Sequence, residues 1–132
     1  MRLPALACSL LAAGLLFSAC SLTAVGGGEE IQVVAGEDEN SMFFEPAEIT
    51  VAAGAKVTFV IENEGSQDHE FESGQEGEAG IDEIFIPPGA TRRVNWTAPS
   101  EAATFPVYCD LPGHRAAGME ITLKVVPETD AR

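Results

Sequence analysis

Between Ile31 and Val126 the chain is a succession of short apolar or alternating runs cut by turn residues, and this rhythm restricts its fold more than any other feature. The runs are IQVVAG (31–36), MFFEPAEITVAAG (42–54, strand material around Pro46), KVTFVIEN (56–63), HEFES (69–73), EIFIPPG (83–89), TRRVNWTAP (91–99), TFPVYC (104–109) and MEITLKVV (119–126). In KVTFVIEN, Val57, Phe59 and Ile61 alternate with Lys56, Thr58 and Val60, the period of a strand with one buried face. No long run has helical periodicity. About eight strands separated by Gly, Pro and Asn punctuation predict an all-β fold, a β-sandwich or barrel. Phe59, Phe71, Trp96 and Phe105 are expected in its core. GQEGEAG (74–80) is expected to be a loop.

The first segment stands apart. Arg2 precedes an apolar stretch from Leu3 to Phe17, which is shorter than the ~20 residues that span a bilayer and has the layout of a secretory signal. Phe17-Ser18-Ala19-Cys20 resembles a bacterial lipobox, with Phe17 where Leu is usual. The resemblance implies cleavage before Cys20 and acylation of its thiol, which would anchor the protein to a membrane. Residues 1–19 are therefore read as a lipoprotein-type signal and 20–30 as a lipid-anchored linker made flexible by Gly26, Gly27 and Gly28. Residues 31–127 are read as the folded domain and 128–132 as a tail. Expected localisation is the outer face of the cell membrane or the periplasm.

Charge narrows the partners. There are 21 acidic and 7 basic residues, a formal net charge of −14. Such a chain repels nucleic acid and anionic headgroups, and its natural complement is a basic protein surface. Glu62, Glu64, Asp68, Glu70, Glu72, Glu76, Glu78, Asp82 and Glu83 crowd the sequence around His69 and are candidates for steering a basic partner. The chain is expected to act as a monomer.

Of three cysteines, Cys8 lies in the signal and Cys20 at the lipidation site, so Cys109 is left without an obvious disulfide partner in the folded domain. Cys109 belongs to YCDLPGHRAAGMEITLKVV (108–126), where Cys109, His114 and Met119 stand at five-residue steps. On a helix five residues turn by about 140°, scattering the three side chains. On one strand they would alternate faces. A tight loop between two strands converges them. Pro112-Gly113 and Gly118 supply its turns. Thiolate, imidazole and thioether make a soft donor set suited to copper, although zinc accepts thiolate and imidazole too. The blue-copper arrangement needs a second histidine, and the chain contains one other, His69.

The segments FFEPAEITVAAGAKVTFVIENEG, DHEF and YCDLPGH-x4-GM together resemble the cupredoxins, the family of plastocyanin, azurin and auracyanin, over nearly the whole domain. The resemblance implies a Greek-key β-sandwich holding one type 1 copper. By position it makes His69, Cys109 and His114 equatorial ligands and Met119 the axial one. Many relatives carry Asn after the first histidine, where it ties the two ligand loops together. Here Glu70 stands there, which leaves the surroundings of the ligands in doubt. The backbone N–H of Leu111 is expected to donate to the Cys109 sulfur, while Pro112 has no N–H to add. Leu111, Pro112, Gly113, Ala116, Ala117 and Gly118 are expected to form a flat docking patch around His114.

The function implied is electron transfer between redox proteins, without enzymatic activity. Copper delivery or storage is the alternative, although the Met- or His-rich cluster usual in such proteins is absent.

Overall fold

In the computed structural model, residues 28–74 and 79–131 are described. The signal, Cys20, most of the linker, Glu76 and Glu78 lie outside these residues.

The described chain is all-β, a sandwich of nine strands followed by a short 3-10 turn at Glu128–Asp130. The strands are β1 (Glu29–Glu37), β2 (Met42–Glu45), β3 (Glu48–Ala52), β4 (Lys56–Asn63), β5 (His69–Phe71), β6 (Ile84–Ile86), β7 (Thr91–Thr97), β8 (Ala103–Tyr108) and β9 (Glu120–Val126). One sheet has the order β2-β1-β4-β7, a second the order β3-β9-β8, and β5 pairs with β6. Two pairings are parallel, β1 with β4 and β3 with β9, so the two halves of the chain interleave across the sandwich.

The ninth strand comes from the run at 42–54. It is two strands that belong to different sheets. Pro46 marks the crossing, because it cannot donate to a ladder and so ends β2. The expected strands at 69–73 and 83–89 are shorter, Pro87-Pro88 ending the second. Beyond β5, Glu72 and Tyr108 exchange backbone hydrogen bonds (2.8 and 3.2 Å) in an isolated bridge. That bridge joins the β5–β6 pair to β8, and with it the segment bearing His69 to the strand that Cys109 follows.

Alternation does the packing. β9 buries Ile121, Leu123 and Val125 and leaves the residues between them half-buried. β4 contributes Val57, Phe59 and Ile61, and β1 contributes Val33 and Ala35. Phe71 meets Phe44 edge-on and Phe59 at a tilt, both with ring centroids 5.5 Å apart, and Phe59 lies 5.9 Å from Trp96. Each fully buried phenylalanine contributes about 1.5–3 kcal/mol of transfer free energy. Trp96 keeps its polar edge satisfied by donating Nε1–H to the carbonyl of Ala79 at 2.6 Å. Phe105 packs against the core at its margin, half-buried.

Candidate metal centre

Cys109 follows the last residue of β8, Met119 precedes the first of β9, and His114 stands between them. The connecting loop is pinned by its own backbone. The Cys109 N–H donates to the Met119 carbonyl (3.2 Å), Met119 N–H to the His114 carbonyl (3.1 Å) and His114 N–H to the Leu111 carbonyl (3.0 Å). Gly118 has φ +109°, a conformation that side chains resist, and a Cβ there would also come within 3.2 Å of the Met42 carbonyl oxygen. Met42, at the head of β2, donates its N–H to the Ala117 carbonyl (3.1 Å) and so fastens the loop to the other sheet.

His69 enters from the first residue of β5. Its Nδ1 lies 3.3 Å from Nδ1 of His114, and that atom lies 3.4 Å from Sγ of Cys109. The three donor atoms all fall within 4.8 Å of one another. A trigonal plane of imidazole nitrogens with about 2.0–2.1 Å metal bonds sets neighbouring nitrogens about 3.5 Å apart, so the spacing suits a single metal ion. Cys109, His69 and Met119 are completely buried, while His114 keeps 9% of its surface exposed. Leu111 and Ala117 beside it are half-buried, and Pro112, Gly113, Ala116 and Gly118 are exposed. His114, Leu111 and Pro112 form one wall of an open groove of about 540 Å³ whose other wall carries Ser66, Gln67, Asp68 and Pro88.

Burial favours the neutral forms of Cys109 and His69. Burial pushes the Cys109 thiol up, and hydrogen bonding from the backbone of Glu70 and Leu111 works against it. The Glu70 backbone N–H lies 3.3 Å from Sγ. The tie between the ligand loops that Glu70 left in doubt is made by its main chain and by the Glu72–Tyr108 bridge. The Glu70 carboxyl is raised by burial and then by Glu83, Glu72 and Asp110. Burial also lowers the basicity of His69. The cluster of one thiol and two imidazoles, with the buried thioether of Met119 at the other end of the loop, matches a soft metal such as copper.

Two residues of the site escaped the sequence reading. Asn63, fully buried at the end of β4, donates Nδ2–H to the carbonyls of Gln67 and Ile86 (both 2.8 Å) and accepts the N–H of Gly65 (2.9 Å). It thereby shapes the loop that delivers His69. Glu37, at the end of β1, places Oε2 3.2 Å from Nε2 of His69. Asn63 carried a weak signal, a turn residue closing a strand before Glu-Gly. Glu37 carried none, being one of 21 acidic residues.

The chain belongs to the plastocyanin/azurin family of copper binding proteins, whose family model matches residues 31–126. Its cofactor is copper. Among characterised proteins it resembles two copper-resistant cuproproteins named CopI. One, from Pseudomonas aeruginosa, is 26% identical over an alignment covering 90% of this chain and 95% of that protein. The other, from Rubrivivax gelatinosus, is 36% identical over 61% of this chain and 58% of that protein. In fold it resembles the auracyanin of Roseiflexus castenholzii (TM-score 0.58, 21% identity, 76% of this chain and 100% of that one).

Proposed function

We propose that this chain is an exported electron carrier, not an enzyme, with His69, Cys109 and His114 as equatorial ligands and Met119 as the axial one. The observation that carries this reading is the donor cluster of His69, Cys109 and His114, in which the first two are wholly buried and His114 alone keeps an edge to solvent. Bound copper would supply a one-electron Cu(II)/Cu(I) couple. The protein supplies the frame. Cys109 and Met119 are fixed by the strands they adjoin and by the hydrogen bond between their own main chains. His69 and His114 are held from separate loops, so no donor need move far when charge changes. Four protein donors leave no position for a substrate. Electrons would pass through the exposed edge of His114, within the small-residue patch of Pro112, Gly113 and Ala116.

The decisive experiment is a visible spectrum of the protein with Cu(II), before and after ascorbate. An intense blue band that bleaches on reduction is expected from a Cys109 thiolate–copper bond. A pale complex would remove Cys109 from the ligand set and with it the carrier reading.

The partner we propose is a redox protein with a basic docking surface. Glu62, Glu64, Asp68, Asp82 and Glu83 are exposed, and Asp68 lines the groove beside His114. Electron transfer to such a partner should slow as salt rises, because screening shortens the reach of these charges. A rate indifferent to salt would reduce the carboxylates to a solvated face. Arg2, the apolar stretch 3–17 and Cys20 support export and lipid anchoring. The mass of the mature amino terminus tests both.

The likeness to copper-resistant cuproproteins favours a second reading, in which the chain sequesters or passes on copper. Exchange separates the two. A carrier retains its copper through repeated redox cycles in the presence of a chelator, whereas a donor releases it.

A further inference from the structure

Resting on the ligand role of His69 proposed above, we propose that Glu37 is a positioning residue for the metal centre. Its carboxylate accepts the Nε2–H of His69, fixes the tautomer that presents a bare Nδ1 to Cys109 and His114, and holds a negative charge one ring away from the metal.

The placement is unusual for an acid. Along β1 alternate residues share a face, and Val33 and Ala35 of that face are buried in the core. Glu37 is the next residue in the same row, with only 15% of its side chain exposed. A carboxylate in a core-facing row stays only if its oxygens are bonded. Here Oε1 accepts both the backbone N–H of Ser66 (2.5 Å) and its hydroxyl (2.6 Å), which leaves Oε2 aimed at His69 Nε2 (3.2 Å). Space for that reach is made by Gly65, where a Cβ would collide with Oε2. Gly65 is itself held by its N–H bond to Asn63 Oδ1. The strand end, the glycine and the serine thus converge on one imidazole nitrogen.

The consequence is directional. A histidine that donates one N–H to a carboxylate is a more basic ligand through its other nitrogen. The added charge stabilises the dipositive metal more than the monopositive one. Glu37 therefore strengthens Cu(II) binding more than Cu(I) binding and lowers the reduction potential.

Glu37→Gln, Glu37→Ala and Gly65→Ala, each in the full chain, test this. Nitrogen NMR of the copper-free protein near neutral pH should find His69 protonated on Nε2 in the wild type, with that preference lost in Glu37→Ala. Cu(II) affinity should fall about 10–100-fold in Glu37→Ala, with a smaller loss for Cu(I). Each tenfold loss selective for Cu(II) raises the potential by about 59 mV. Glu37→Gln should keep the tautomer but raise the potential, since it keeps an acceptor and removes the charge. Gly65→Ala should raise the potential in the wild type and leave it unmoved in the Glu37→Ala background. Variants that lose stability while tautomer and potential stay fixed would overturn the proposal, because Glu37 would then only pin the loop. A wild-type protein lacking the blue band would overturn the reading of the centre instead, and the copper-free tautomer would still decide whether Glu37 sets His69.

Discussion

The two segments that bring donors to the metal centre are built on opposite plans. The Cys109–Met119 loop carries three of the proposed donors within eleven consecutive residues, and most of its hydrogen bonds are internal. The segment from Glu64 to His69 carries one donor and is shaped from outside, by Asn63 at a strand end and by Glu37 from another strand. The first is a self-contained clip. The second is a tether whose anchors reach far off in sequence, to Glu37 directly and to Ile86 through Asn63. A single change should therefore act differently on each. In the clip it should alter local geometry. In the tether it should release His69 while leaving Cys109 and His114 together.

The largest effect is expected from Asn63→Ala. It leaves the carbonyls of Gln67 and Ile86 and the N–H of Gly65 without their partner. A buried group left unpaired costs about 1–3 kcal/mol; the Ile86 carbonyl is buried and the other two groups are partly wet, so denaturant unfolding of the copper-free protein should register a loss of about 3 kcal/mol. Copper should still bind Cys109 and His114, with lower affinity and an altered spectrum. If affinity and spectrum stayed at wild-type values, the two segments would not differ as described.

Gly118→Ala tests the clip. It forces a side chain into a backbone at φ +109° and toward the Met42 carbonyl, a strain of about 2 kcal/mol. Here the spectrum should change through Met119, the neighbouring residue, and the His69 tautomer should not. A change confined to His69 would mean that the loops are mechanically one unit.

The same contrast decides what could be read from the sequence. The clip was legible because its donors, turn residues and spacing share one short stretch. The strand pattern was legible because β9 alternates cleanly, and β4 does so apart from Val60, which is buried beside Phe59 and Ile61. Pro46 was visible, but its effect was not, because whether a strand continues or crosses to another sheet depends on partners that local pattern does not name. Asn63 and Glu37 were hidden for a related reason. The buried role of Glu37 follows from β1 running on to residue 37, beyond the 31–36 read from its apolar residues. Its contact with His69 follows from the parallel pairing of β1 with β4, which sets Ala35 opposite Asn63. Parallel pairs join segments distant in sequence, and no turn announces them.

One short turn serves both segments, and it gives the smallest but most discriminating prediction. Asp38 to Ser41 link β1, which ends in Glu37, to β2, which begins with Met42. The tether is held from one side of this turn and the clip from the other, through the Met42 N–H to Ala117 bond. Asp38 shapes the turn by accepting the N–H groups of Asn40 and Ser41 and the Ser41 hydroxyl, all at 2.9 Å. Those bonds, that from Asn40 first, hold its carboxyl below the ordinary value of 3.8. A depressed carboxylate contributes stability that is present above its unfolded value and lost as pH falls through the lower folded one. Below pH 3.8 the amides of Met42 and Ser66 should therefore lose hydrogen-exchange protection together, beyond the loss seen elsewhere in β4. In Asp38→Asn the added loss at Met42 should vanish, while Ser66 keeps the share that belongs to Glu37, whose carboxylate accepts its N–H and is itself held low by the two Ser66 bonds. Protection at Met42 that is indifferent to pH in this range, with Ser66 alone losing it, would show that the clip holds its place on β2 without the turn.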